Sequence, residues 1–292
     1  MRELREVRIL LPKEVYSHGE VITGILEVMT DKEFDSKVTS ITFNGRIKAT
    51  AKGVPIVSGG EMHTQIGELD TNIVESTIVL AEDKHYPEGK YTFNFSFELP
   101  TSKHTFLENL YIKSGLFPTH KGSASSVEYM LYAAVEISSL TTLKAQIPIT
   151  IIVPLDEYPK VVKNEKSLKD VVFLETDSDL FCIGKPYEVR YRIKEGAKVK
   201  KIQFEFVNTE FVSLNRLGAI SSHSLYETEI IPQERVSEWQ TIVLEPDVVI
   251  PQSFKCEVLE STLQLNVTAE LGRFNKVQVK LHLLAHHCPD TE

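Results

Sequence analysis

The chain has 292 residues, of which 42% are apolar and 25% charged, and a net charge of −9. That balance describes a folded protein long enough for two ordinary domains, and its acidity argues against nucleic acid as a partner while leaving room for local basic patches. No run reaches the roughly 20 apolar residues of a membrane-spanning helix, since the longest near-candidate, 145–155, is interrupted by Pro148 and Pro154.

The N-terminus, MRELREVRIL, passes at once into an alternating strand with Val7, Ile9 and Leu11 on one parity. It offers no secretory apolar region or small-residue cleavage site, so a cytoplasmic location is expected. Ile22, Leu26 and Val28 follow a Gly19-Glu20 turn, and Ile41, Phe43, Ile47, then Val74, Ile78 and Leu80, continue period two. The strongest signal is YTFNFSFEL at 91–99, where Tyr91, Phe93, Phe95, Phe97 and Leu99 share one face and Thr92, Asn94, Ser96 and Glu98 the other. An aromatic row of that size requires a second apolar layer stacked against it. Within 102–113, Phe106, Leu107, Leu110 and Tyr111 recur at helical spacing and predict one short helix over the sandwich.

Alternation over 127–137 and 147–153 completes a first set of strands. The stretch 156–169, broken by Pro159 and crowded with charge, reads as a linker or a strand crossing between the domains. Period two then resumes at Val171 and Phe173, at Val189 to Ile193, at Ile202, Phe204 and Phe206, at Trp239 to Leu244, over 263–271, and at Val277 to Leu283. The expected architecture is all-β, two consecutive antiparallel, immunoglobulin-like β-sandwiches with at most one short helix. Residues 1–155 and 170–285 form the sandwiches, 156–169 the linker and 286–292 a short tail.

Two internal echoes support a duplication. Tyr16-Ser17-His18-Gly19-Glu20 is answered by Phe181-Cys182-Ile183-Gly184-Lys185, and EYMLYAAVEI at 128–137 aligns without gaps on TLQLNVTAEL at 262–271.

The order of these features resembles the arrestin family, particularly the arrestin domain-containing (α-arrestin-like) proteins. Tyr16, Gly19, Glu20 and Gly24 match the family's Tyr-x-x-Gly-Glu turn with a second glycine after it. Phe97 to Pro100 resembles its Phe-x-Leu-Pro, and Ser126, Tyr129, Leu131 and Ala133 its next strand. Gly184-Lys185-Pro186 and 250–254 are similar to marks of the second domain. The resemblance covers about residues 5–285 and implies two arrestin-type sandwiches in a non-catalytic adaptor or scaffold. Its implied partners are cytoplasmic tails of membrane proteins or trafficking-coat proteins, in endocytosis or signalling. A related alternative is the arrestin-related cargo subunit of a retromer-like endosomal coat. The 292 residues hold no Pro-Pro-x-Tyr motif, so ligase recruitment through one is not expected.

Chemistry is sparse. There is no Gly-x-Ser-x-Gly elbow, phosphate-cradling glycine loop or His-Glu-x-x-His pair, so no catalytic residue and no cofactor is expected. A zinc-dependent enzyme is the alternative from another class. His282, His286, His287 and Cys288 carry zinc-type ligands, but His282 falls on a polar strand face and the rest read as a solvated end. Cys182, Cys256 and Cys288, odd in number and far apart, read as reduced thiols.

Three stretches are candidates for partner binding. Arg5 and Arg8 on the first strand carry forks suited to phosphate, as the family resemblance implies. Lys198, Lys200 and Lys201 form the sharpest basic cluster and suit an acidic peptide or a peripheral membrane contact. Val54, Pro55, Ile56 and Val57 place an apolar tip among glycines, at the position of the family's receptor-inserting loop; a plain strand is the other reading.

Overall fold

The structure is a computed structural model that describes residues 5–52, 56–58, 61–63, 66–100, 116–154, 163–214, 217–232, 238–272 and 275–288, with backbone only at 56–58 and 61–63. The short helix expected over 102–113 lies outside the described residues, among which every regular element is a strand. The first half contains β1 (Arg5–Leu10), β2 (Val15–Ser17), β3 (Val21–Thr30), β4 (Phe34–Lys52), β5 (Ile56–Ser58), β6 (Glu61–His63), β7 (Ile66–Tyr86), β8 (Gly89–Glu98), β9 (His120–Lys121), β10 (Ser125–Ser138) and β11 (Thr141–Ile152). The second half contains β12 (Asn164–Leu168), β13 (Val172–Thr176), β14 (Leu180–Cys182), β15 (Tyr187–Ile193), β16 (Lys201–Leu214), β17 (Leu217–Ile230), β18 (Gln240–Leu244), β19 (Phe254–Lys255), β20 (Leu259–Glu270) and β21 (Lys276–His286).

Each half is a sandwich. The first stacks the sheet β1-β3-β8 on β2-β11-β10-β4-β7, the second β12-β13-β15-β18 on β14-β21-β20-β16-β17. Alternation dictates the stacking. In β8, Phe95 and Phe97 point inward and are buried, while Asn94, Ser96 and Glu98 face solvent. Phe97 meets Phe43 of β4 across the gap, with ring centroids 6.0 Å apart. In the second half Phe206 of β16 packs edge-on against Phe181 at 5.1 Å.

Strands as long as β4 and β7 curve around the core because bulges interrupt their pairing at Thr39/Ser40 and Gly45/Arg46. Beside the second bulge Gly45 stands opposite Tyr129 of β10. A Cβ there would overlap the Tyr129 ring, so the glycine lets that buried side chain lie flat and donate its hydroxyl to Phe117 O at 2.7 Å. Burial raises the Tyr129 pKa, so the phenol stays protonated as that donor.

The echoed segments occupy equivalent places. β10 and β20 are the third strands of their sheets, and β2 and β14 are short edge strands pairing in parallel with β11 and β21. Gly19 and Gly184, at φ of 75° and 81°, make the same left-handed turn, the conformation glycine adopts without penalty.

Two features mark the boundary between the halves. Within 156–169 residues 164–168 form β12, the crossing strand, which pairs in full register with β13 and buries Leu168 at its end. The first core also crosses the boundary: Val212, Leu214, Phe254, Cys256 and Leu259 of the second half pack with Leu116 and the first sandwich's interior.

Candidate partner-binding surfaces

At the first turn, Glu20 accepts the Ser17 N–H at 2.9 Å and the Lys13 ammonium at 2.8 Å. Those bonds, the one from Lys13 foremost, lower its carboxyl pKa. Gly24 packs under Phe95, and a Cβ there would press on the Phe95 ring and the Leu10 carbonyl. Because β1 ends at Leu10, opposite Ile25, β3 runs on through Val21–Gly24 paired with β8 alone. A groove of 830 Å³ opens at that point, lined by Leu10, Leu11, Gly24, Ile25 and Phe95. Leu10 and Ile25 are 43% and 37% exposed, a pair of apolar side chains left in water beside an unfilled strand edge.

On β1 the two arginines diverge. Arg8 grips Glu6 through Nε and Nη2, at 2.6 and 2.9 Å, and the bond to Glu6 raises its pKa. Arg5 lies over the Phe34 ring at 5.2 Å. A phosphate recruited by Arg8 would have to displace Glu6. Of the apolar tip, Val54 and Pro55 lie outside the described residues; Ile56 and Val57 belong to β5, which pairs with β6 through Ile56↔His63 and Val57↔Met62.

The basic cluster divides and gains members. Lys201 pairs with Glu229 at 2.8 Å, which raises its pKa, whereas Lys198 and Lys200 stand exposed in the connection before β16. Lys194 donates its backbone N–H to Val171 O at 2.8 Å and so brings the exposed Lys169 turn alongside. None of Lys169, Lys194, Lys198 and Lys200 makes an ion pair among the described residues. They crowd the start of β16, while its far end is buried against the first sandwich, roughly 45 Å away at strand rise.

The joint between the sandwiches is polar at its centre. Glu210 on β16 is fully buried. Its carboxylate receives the Ser123 N–H at 2.8 Å, the Ala124 N–H at 3.3 Å and the Ser125 hydroxyl at 2.8 Å. Gly122 permits the approach, since a Cβ there would overlap the carboxylate. His120, buried against the Phe254 ring, stands 3.9 Å from one oxygen, and His223 4.0 Å from the other. Burial opposes the charge, but His120 and the Ser125 and Ser123 donors outweigh it and hold the Glu210 pKa at about 2. A second peg lies nearby: the Gln252 amide accepts the Val153 N–H at 3.2 Å, donates to Val153 O, and donates to His286 Nδ1 at 2.8 Å.

A model of the arrestin (or S-antigen) N-terminal domain matches residues 6–157, more than half of the chain. The chain belongs to the arrestin family. A search of the curated proteins finds no match. Arrestin-family proteins are in general non-enzymatic adaptors that bind other proteins. The matched arrestin domain spans β1 to β11, so the Glu20 turn, the Gly24 groove and the Gly122–Ser125 loop belong to it, whereas Glu210 and Gln252 come from the second sandwich.

The C-terminal reading is corrected. His286 and Cys288 are not a solvated end, and Cys182 and Cys288 are not separate thiols. Parallel pairing sets Cys182 opposite His286, which brings Cys288 into a disulfide with Cys182 at a Cα separation of 5.3 Å across 106 residues. Cys256 remains a free, buried thiol whose pKa burial raises. His282 stays exposed on its strand, and burial lowers the pKa of His287. Among the described residues no three His, Cys, Asp or Glu side chains stand where they could hold a metal.

Sequence reasoning missed Glu210, yet its signal was present. Ile202, Phe204, Phe206, Val212 and Leu214 share one buried parity, and Asn208 and Glu210 interrupt that row from within it.

Proposed function

We propose that this arrestin-family adaptor captures cytoplasmic tails of membrane proteins, acting in the cytoplasm as a peripheral component of endosomal or plasma membranes. The observation that carries the reading is the open side of β3 at Val21–Gly24 with the apolar groove beside it. An extended peptide laid there would complete the β3 ladder with its backbone and drop alternate apolar side chains onto Leu10 and Ile25. The free lysines around the start of β16 suit an acidic leaflet, where each adds about 1 kcal/mol. Arg5, Arg8 and the β5–β6 ribbon are further surfaces for the same tail.

Pull-down from cells with the full chain tests this. Wild type is expected to recover membrane proteins, and Ile25→Asp to lose most of that capture, because it places a charge in the groove. Val54→Asp with Ile56→Asp, made separately, reports on the ribbon. Equal capture by wild type and Ile25→Asp refutes the groove. Recovery of a large helical-solenoid protein in place of membrane proteins assigns the chain to an endosomal coat instead.

A further inference from the structure

The Cys182–Cys288 disulfide stands at the joint between the sandwiches. Cys182 ends β14, whose neighbour Ile183 donates its N–H to His286 O at 2.9 Å. His286 is itself buried, and its Nδ1 faces Gln252 Nε2. An amide nitrogen only donates, so Nδ1 must be the unprotonated acceptor and the ring proton must sit on Nε2. The same Gln252 nitrogen donates to Val153 O, and its oxygen accepts the Val153 N–H. One continuous set of contacts therefore runs from the disulfide through His286 and Gln252 to the strand end of the first sandwich. Ser253, next to the peg, is tied to β21: its N–H reaches Ala285 O at 2.8 Å, and its hydroxyl accepts the Ala285 N–H at 3.0 Å. Both cysteines are partly exposed, which leaves the bond open to attack from solution.

We propose that Cys182–Cys288 is a thiol–disulfide exchange site for a dithiol reductant, and that its reduction loosens the Gln252 peg fastening the second sandwich to the first. In the reaction a thiolate of the dithiol attacks one sulfur, the Cys182–Cys288 bond breaks, and a mixed disulfide forms. The reductant's second thiol then closes its own disulfide. Two electrons and two protons pass to the protein, and both cysteines are left as thiols. Once cut, nothing covalent holds residues 287–288 to β14. The end of β21 then frays, and His286 leaves Gln252 with one unpaired donor in a buried place. Glu210 and its loop share none of these groups and stay closed, so the joint loses the Gln252 peg and keeps the Glu210 clasp.

The test is amide hydrogen exchange on the full chain, purified in air and then treated with dithiothreitol. Reduction is expected to speed exchange at Ile183, Ala285 and Val153 by at least about tenfold, with Ser123, Ala124 and the β20 core unchanged. The double variant Cys182→Ser, Cys288→Ser should show the fast pattern with or without reductant. Gln252→Ala should quicken Val153 alone and equally under both conditions. Three free thiols in the denatured, air-purified protein, instead of Cys256 alone, no change at these amides on reduction, or acceleration spread evenly over both sandwiches would each overturn the proposal.

Discussion

The two larger sheets share one strand order but fasten the joint between them with different chemistry. In the first, β2 lies parallel to β11, and His18 donates its N–H to Ile152 O at 3.1 Å beyond Tyr16. In the second, β14 lies parallel to β21, and Ile183 donates to His286 O at 2.9 Å beyond Phe181. Backbone geometry is what the duplication keeps. Where the first half pairs Ser17 with Ile152, the second pairs Cys182 with His286, and only the second half builds a disulfide and a side-chain peg there. The joint is lopsided for the same reason. The first sandwich offers mainly backbone groups, of Ser123, Ala124 and Val153, and the second supplies the side chains, Glu210 and Gln252, that reach into them.

Matched substitutions break or sharpen this comparison. The largest effect is expected at Tyr16 and Phe181, each 1% exposed at the same place in its half. Tyr16→Ala and Phe181→Ala should each lower unfolding free energy by about 3–5 kcal/mol in urea titrations, because each empties an aromatic site. A difference above about 2 kcal/mol between them would end the equivalence of the two edges.

Smaller and deliberately unequal effects are expected at two glycines. Gly24→Ala forces a methyl against Phe95 and the Leu10 carbonyl, an overpacking loss of about 1–3 kcal/mol that also distorts the groove. Gly184→Ala meets no atom within 4 Å and suffers only from its φ of 81°, a loss of about 1 kcal/mol. Thermal unfolding of the two variants compares them. If Gly184→Ala proves the worse, backbone conformation rather than close packing governs these turns.

Much of this fold is legible in the sequence alone. Alternation gave the strands, the row at 91–99 demanded a facing layer, and the alignment of 128–137 on 262–271 pointed to equivalent strands, which became β10 and β20. What stays open or hidden in the sequence depends on contacts between distant residues. β12 is short and highly charged, and only pairing with β13 makes a strand of it. Cys182 and Cys288 meet because two strands run parallel, which no spacing of 106 residues announces. The groove exists because β1 stops before β3 does, a matter of register. Lys169 and Lys194 likewise become neighbours only through the pairing of β13 with β15. Glu210 was the readable omission, a carboxylate on the buried parity of a strand.

The most direct test of the joint is stability against pH for wild type and Glu210→Gln. The Glu210 pKa is lowered from 4.5 to about 2 on folding, so its ionisation stabilises the folded state fully above about pH 4.5 and that contribution is lost as the pH falls through about 2. Denaturant titrations between pH 5 and pH 2 should show wild type losing about 3 kcal/mol that Glu210→Gln, already weaker at pH 5, does not lose. Parallel curves for the two proteins would contradict the account, because Glu210 would then be no charged clasp between the sandwiches.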